Sequence, residues 1–296
     1  MNVRVILLTA VVFLSGTCFD AFAQPADGNL TFSSAEDWPM WRHNARRTAV
    51  SRQKPPDALH MQWMRQYPRV RPAFGSRRLQ FDAGYEPVVM GKTLFMGSPC
   101  NDSVWAVDTE TGTVKWTFYT DGPVRFAPVA WGKRVFAASD DGCLYCLDAA
   151  SGKLLWKFRA VPSVRKMIGN GRLISVWPVR GGPVLEDGRI YFAAGMWPFE
   201  GIFVYALDAE TGKVLWLNDR SGCLFLGHPH KAWSFGGPSL QGYLVINGKD
   251  LLVPNGIGGV PAFFDIENGQ LQAFSHLANR IPGSWFVTSD PNGQVS

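Results

Sequence analysis

Along this 296-residue chain, apolar and polar positions alternate in short runs. No stretch sustains the 3.6-residue apolar period of an amphipathic helix. The runs are rich in β-branched and aromatic residues, as in Thr93-Leu-Phe-Met96, Arg134-Val-Phe-Ala137 and Arg189-Ile-Tyr-Phe192. Such segments predict strands. Each follows a tight-turn signal: Gly91-Lys92, Gly132-Lys133 or Asp187-Gly188. Upstream of these turns stand Glu86-Pro87-Val88-Val89, Ala127-Pro128-Val129-Ala130 and Gly182-Pro183-Val184-Leu185, and Gly237-Pro238-Ser239-Leu240 is expected to begin a fourth unit.

A second column of matches closes each unit. Ala106-Val-Asp108-Thr-Glu-Thr111-Gly112-Thr-Val-Lys-Trp116 recurs as Ala206-Leu-Asp208-Ala-Glu-Thr211-Gly212-Lys-Val-Leu-Trp216. Between them lies Cys146-Leu-Asp148-Ala-Ala-Ser151-Gly152-Lys-Leu-Leu-Trp156. A fourth, decayed copy keeps Asp265 and Gly269 but has Ala273 in place of the indole. The Asp-to-Asp intervals are 40, 60 and 57 residues. A four-stranded blade takes about 40–50 residues, so the longer intervals predict inserted loops. Each unit thus reads strand, tight turn, strand, loop, strand, Asp-x-x-Thr-Gly turn, strand, which is an antiparallel meander. In the second turn the Asp accepts neighbouring backbone N–H groups, and the Gly supplies a positive φ. The Trp is expected to pack onto the adjacent blade and bond through its indole N–H.

The fold class predicted is therefore all-β: a β-propeller of four-stranded antiparallel blades. About four blades are visible, expected to be part of a ring of about seven or eight. Leu59-His-Met-Gln-Trp63-Met-Arg-Gln-Tyr67 reads as an outer strand ahead of the first full unit, and Trp285-Phe-Val-Thr288 as one late strand. The organisation expected is a signal peptide over 1–23, an irregular lead-in over 24–58, and an incomplete propeller over 59–296.

Composition sharpens this. The 31 Gly and 20 Pro suit many turns, and 12 Trp call for a recurrent structural role. Arg4, the apolar run Val5 to Leu14 and Ala21-Phe22-Ala23 have the form of a signal peptide cleaved before Gln24. Cys18 raises a lipoprotein alternative, although Thr17 stands where such signals carry Gly or Ala. Export to the periplasm or cell envelope is expected, with no transmembrane segment. Arg42, Arg46, Arg47, Arg69, Arg71, Arg77 and Arg78 cluster near the start and are read as a solvated lead-in rather than a polyanion site. No nucleic-acid partner is expected.

The pattern A-x-D-x-x-T-G-x-x-x-W resembles the tryptophan-docking motif of PQQ-repeat propellers. That family includes quinoprotein alcohol dehydrogenases and the lipoprotein of the outer-membrane barrel-assembly machinery. Trp38-Pro39-Met40-Trp41-Arg42 with Arg47-Thr48 is similar to the start of exported members without an assigned function. The resemblance assigns Ala106, Asp108, Thr111, Gly112, Trp116, Asp148, Gly152, Trp156, Ala206, Asp208, Thr211, Gly212 and Trp216 to docking.

A propeller does not dictate its function. The reading expected is a non-catalytic binding or scaffolding propeller, with a protein or small-molecule ligand on one face. The alternatives are a dehydrogenase using PQQ with Ca²⁺ to oxidise alcohols or sugars, and a barrel-assembly-like role. The dehydrogenases commonly carry an adjacent Cys pair over the quinone, which this sequence lacks. Asp140-Asp141 is the densest carboxylate pair and reads as a solvated turn. No catalytic residue and no metal ligand is assigned. Candidate ligand contacts lie in the inserts: Trp177, Arg180, Trp197, His228, His230 and Trp233. Cys143 and Cys146 lie three apart on a strand, too far to bridge, while a Cys100–Cys223 disulfide stays open.

Overall fold

The computed structural model describes residues 37–51, 53–75, 80–227, 232–255, 260–274 and 287–288. The signal-like segment, Arg77, Arg78, His228, His230, Trp285 and Phe286 lie outside them.

Four antiparallel sheets succeed one another, each a meander in chain order. Blade 1 comprises β1 (Val88–Met90), β2 (Thr93–Ser98), β3 (Ser103–Asp108) and β4 (Val114–Tyr119). Blade 2 comprises β5 (Val129–Trp131), β6 (Arg134–Ala138), β7 (Cys143–Asp148) and β8 (Leu154–Arg159). A hairpin of β9 (Lys166–Gly169) and β10 (Arg172–Ser175) precedes blade 3, which holds β11 (Gly181–Glu186), β12 (Arg189–Ala194), β13 (Phe203–Asp208) and β14 (Val214–Asn218). A second hairpin, β15 (Leu224–Gly227) and β16 (Trp233–Gly236), leads through β17 (Gly242–Tyr243) into blade 4: β18 (Val245–Asn247), β19 (Asp250–Val253), β20 (Ala262–Asp265) and β21 (Leu271–Ala273).

Burial explains the arrangement. The middle strands are apolar on both faces, and β7 is buried from Cys143 to Leu147. The outer strands are largely exposed; in β4 only Trp116 is buried. Sheets with two apolar faces must be sandwiched, and stacking blades side by side achieves this.

Every outer strand opens with the same device. The Asp108 carboxylate accepts the Glu110 and Thr111 N–H groups, both at 2.9 Å. Those bonds, with Lys115 at 3.1 Å, hold its carboxyl down at about 2. A register shift follows at the equivalent point in all four blades. The glycine does more than adopt φ +70°. Trp116 lies directly on Gly152, so that a Cβ there would stand 2.6 Å from the ring, and its N–H donates to Ala149 O at 3.0 Å. Trp156 sits likewise on Gly212 of blade 3, and Trp216 on Gly269 of blade 4. Trp63 takes this seat on Gly112 of blade 1, donating to Thr109 O at 2.8 Å. The fourth copy thus keeps its glycine because it receives an indole, although its own strand ends in Ala273 and presents none.

Three sequence readings need correction. Gly237-Pro238-Ser239-Leu240 does not begin blade 4: the innermost strand there is β18, and Leu244 occupies the place of Pro87. The chain first pairs β17 in parallel with Gly181-Gly182 of β11, and this detour displaces the register. Neither residues 59–67 nor Val287 and Thr288 form a strand, although Trp63 still takes its docking seat.

The larger correction concerns the lead-in. Trp38 pairs with Val89 of β1, and the Ala130 N–H of β5 donates to Pro39 O at 2.7 Å. Ile246 N–H of β18 donates to Ala45 O at 2.9 Å. Arg47 is fully buried and donates to Pro183 O of β11 at 2.8 Å, Leu244 O at 2.9 Å and Trp41 O at 2.9 Å. Residues 37–48 therefore touch the innermost strand of every blade and lie against all four as an inner plug. Arg47 is not part of a solvated charge run: it is buried and donates to carbonyls of β11, of the residue before β18 and of Trp41.

Candidate functional site

In a meander, successive turns alternate between the two ends of the strands. The Asp-x-x-Thr-Gly turns share one end, the docking face; the β6–β7 turn and the loops between blades share the other, the mouth. Four charged side chains from mouth loops meet there. Asp82 precedes β1, Arg125 precedes β5, Asp140 lies in the β6–β7 turn and Arg180 precedes β11. Arg125 bonds Asp82 at 2.5 Å and Asp140 at 2.6 Å. Arg180 forks onto both Asp140 oxygens at 3.1 and 3.0 Å. All four are buried, Arg180 completely.

The formal charges of these four side chains sum to zero. Burial disfavours ionised Asp140, yet the two guanidiniums outweigh that and hold its carboxyl below the ordinary value. Burial is the dominant influence on Asp82 and pushes its carboxyl up, despite Arg125 and the Ala73 N–H. The Asp140-Asp141 pair is thus a buried junction and not a solvated turn. Asp141 accepts the Tyr145 hydroxyl and the Cys143 N–H at 2.9 Å.

An aromatic column runs inward from this cluster. The Arg180 guanidinium lies 5.4 Å from the Phe74 ring and 5.9 Å from Phe81. Phe81 stacks on Phe126 at 4.9 Å, and Phe126 meets Tyr243 edge-on at 5.0 Å. Tyr243 then stacks on Trp41 of the plug. Glu86 closes the column, accepting the Tyr243 hydroxyl and, at 3.1 Å, the Trp41 N–H. Burial pushes its carboxyl up to about 7, and burial lowers Arg47 to about 9.

Of the predicted ligand contacts among the described residues, the structure brings only Arg180 to this centre; His228 and His230 lie outside them. Trp177 packs on the rim, donating to Glu200 O at 2.6 Å beside Phe203. Trp197 is half-buried against Phe199, and Trp233 is exposed on β16. The β9–β10 insert reaches back to blade 1, where Arg172 bonds Asp102 at 2.5 Å and the Pro99 and Cys100 carbonyls. Cys100, Cys143, Cys146 and Cys223 are all unbridged, and burial pushes Cys143 and Cys146 up to about 12. Asp82, Glu86, Arg125 and Tyr243 escaped sequence reasoning, since the first three stand singly in loops and Tyr243 on the two-residue strand β17. Glu86 and Arg125 do lie within two residues of the Pro87 and Ala127-Pro128 starts, the one available signal.

Donor chemistry divides the two parts of a Ca²⁺–quinone centre. Gln241 is fully buried with both amide atoms unpartnered, next to the Gly242 N–H that donates to Arg180 O at 2.9 Å. The second Arg180 terminal nitrogen has only the weak Met196 sulfur as acceptor, at 2.8 Å. These are groups that an acidic quinone would satisfy. Calcium is another matter: Asp82 and Asp140 are committed to arginines, and the described residues hold no group of three His, Cys, Asp or Glu that could ligate a metal.

Comparison with known proteins agrees with the fold. The model of a PQQ-repeat family, described as "Outer membrane protein assembly factor BamB", matches residues 27–176 and 119–281. The dehydrogenase subunit of the quinone alcohol dehydrogenase of Gluconacetobacter polyoxogenes is 33% identical over 123 residues, 38% of this chain and 16% of that protein. Polyvinylalcohol dehydrogenase of Sphingopyxis sp. (strain 113P3) is 29% identical over 221 residues, 69% of this chain and 31% of its own length. Among solved structures, quinohemoprotein alcohol dehydrogenase from Comamonas testosteroni superposes with a TM-score of 0.55 at 18% identity, over 88% of this chain and 45% of that one. A europium-containing methanol dehydrogenase gives 0.55 at 16% identity, over 81% and 48%. The chain therefore spans less than half of each relative. The described residues contain no helix long and apolar enough to cross a membrane.

Proposed function

The chain belongs to the PQQ-repeat family described as outer membrane protein assembly factor BamB, and from that premise we propose that it is part of a quinoprotein-type propeller dehydrogenase that oxidises alcohols in the periplasm. The observation that carries this reading is the buried mouth cluster around Arg180, with the unpartnered Gln241 amide one residue from the Gly242 N–H that bonds the Arg180 carbonyl, in a chain whose curated relatives are alcohol-oxidising quinoproteins. Arg180 and Gln241 would hold the acidic edge of a quinone such as PQQ, which when bound supplies the two-electron acceptor. Arg180 forks onto Asp140, which fixes its direction. Phe74 and Phe81 cover the guanidinium and exclude water, strengthening its pull on an anion. The two carboxylates of the mouth cluster, Asp82 and Asp140, are committed to arginines, so neither is free to serve as general base. Trp63 supports a further blade: its indole is seated on blade 1, while Leu59, Met61 and Met64 beside it are more than 80% exposed.

A test is to add PQQ, with and without Ca²⁺, to the full-length protein and follow quinone absorbance and dye-linked alcohol oxidation. Saturable binding with turnover is expected. A folded protein that binds no quinone would overturn the reading in favour of a non-catalytic scaffold. That second reading, which includes an assembly role, is favoured by the complete pairing of Asp82 and Asp140.

A further inference from the structure

The β15–β16 hairpin rises from the mouth with a face that nothing described covers. Phe225 stands opposite Phe235, and Gly227 opposite Trp233. Alternate strand residues share a face, so these four lie together. Phe225 lies 5.7 Å from Trp233, tilted by 31°, and 5.4 Å from Phe235, at 60°. The three rings are 58%, 66% and 66% exposed. Gly227 lets the Trp233 ring lie 3.5 Å from where a Cβ would stand, flat across the strand. Neither strand carries a charged residue. β16 packs beside the short 3-10 turn Pro198–Glu200, where Phe199 is 74% exposed and stacked on Trp197.

We propose that this face is a docking platform for an uncharged polyhydroxylated polymer, which it would present to the mouth. The substrate class rests on the dehydrogenase reading above. Aromatic planes bind the C–H faces of such chains while the hydroxyls stay in water, and rings with two torsions lose little entropy when they are fixed. The three rings are not coplanar, Phe225 being tilted by 31° to Trp233 and 60° to Phe235, which suits a narrow chain with several faces rather than a flat surface. A polyanion finds no cation on these strands. A stable protein partner needs about 800 Å² per side. Three rings of at most about 150–250 Å² each, already partly covered, fall well short of that.

The test is affinity electrophoresis of the full-length protein through gels containing poly(vinyl alcohol) or dextran, with Phe225→Ala and the double variant Trp233→Ala/Phe235→Ala beside it. Wild-type retardation is expected, about tenfold weaker in apparent affinity for the double variant, with small-alcohol oxidation and thermal melting unchanged. Wild-type migration unaffected by both polymers overturns the platform. So does retardation that the variants leave intact, or variants that change only self-association or binding to phosphatidylglycerol vesicles. Polymer retention without any alcohol turnover would count against the dehydrogenase reading alone, and turnover without retention against the platform alone.

Discussion

Trp41 lies parallel to Tyr243, with 4.1 Å between ring centroids and 3° between planes. One ring belongs to the plug and the other to the strand that leads into blade 4. The Arg47 guanidinium sits 5.9 Å from the first and 5.6 Å from the second. The contact ties the start of the described chain to its last blade, and the blades are held around it.

Replacing Arg47 by Met should lower unfolding free energy by about 3–5 kcal/mol, because two buried carbonyls and one partly buried carbonyl lose their donor. Lysine should recover only part, lacking the planar fork. Urea denaturation, read as a midpoint shift at constant slope, checks both.

Glu86 predicts a pH dependence. Its carboxyl is raised from 4.5 to about 7 in the fold, so the folded state prefers it protonated. Its contribution is fully present below about pH 4.5 and is lost as pH rises through 7. The loss is on the order of 1–3 kcal/mol. Melting temperatures measured from pH 5 to 8.5 should fall more steeply in wild type than in Glu86→Gln, and parallel profiles would refute the assignment.

Asp140→Asn leaves Arg125 and Arg180 buried beside a neutral amide. The expected cost is about 3–5 kcal/mol. Asp121→Asn, which removes only an exposed pair with Lys157 at 3.0 Å, should cost less than about 1 kcal/mol. Calorimetry of the two variants side by side separates the cases.

Gly152→Ala and Gly132→Ala test the docking seat. Both glycines have positive φ, +70° and +58°, so each alanine carries a backbone cost of about 1–2 kcal/mol. Only at Gly152 would the new Cβ meet an indole, that of Trp116, at 2.6 Å. Gly152→Ala should therefore destabilise by a clearly larger margin and shift tryptophan fluorescence, whereas Gly132→Ala, with open space around it, should leave the spectrum unchanged.

Much of the fold was legible because its devices are local. The Asp108 turn, the Gly112 φ of +69° and the outer-strand indole lie within nine residues of one another, and three near-identical copies reveal them. The sequence also singled out Trp63, which docks on Gly112 as an outer-strand indole does, although residues 59–67 around it form no strand. It misplaced the start of blade 4, where the β17 detour replaces the expected Pro by Leu244. At the mouth it singled out Arg180 and Asp140 separately, without pairing them.

What the sequence determined by itself, then, is the blade: a meander closed by an Asp-Thr-Gly turn that both bends the chain and receives a neighbouring indole. What only the tertiary structure decided is the channel. Arg47 reaches carbonyls 136 and 197 residues away, and Asp140 meets arginines 15 and 40 residues away. No periodicity encodes such pairings, because they arise where single residues from different blades converge on one axis. There, burial turns an apparently solvated arginine into the keystone of the plug.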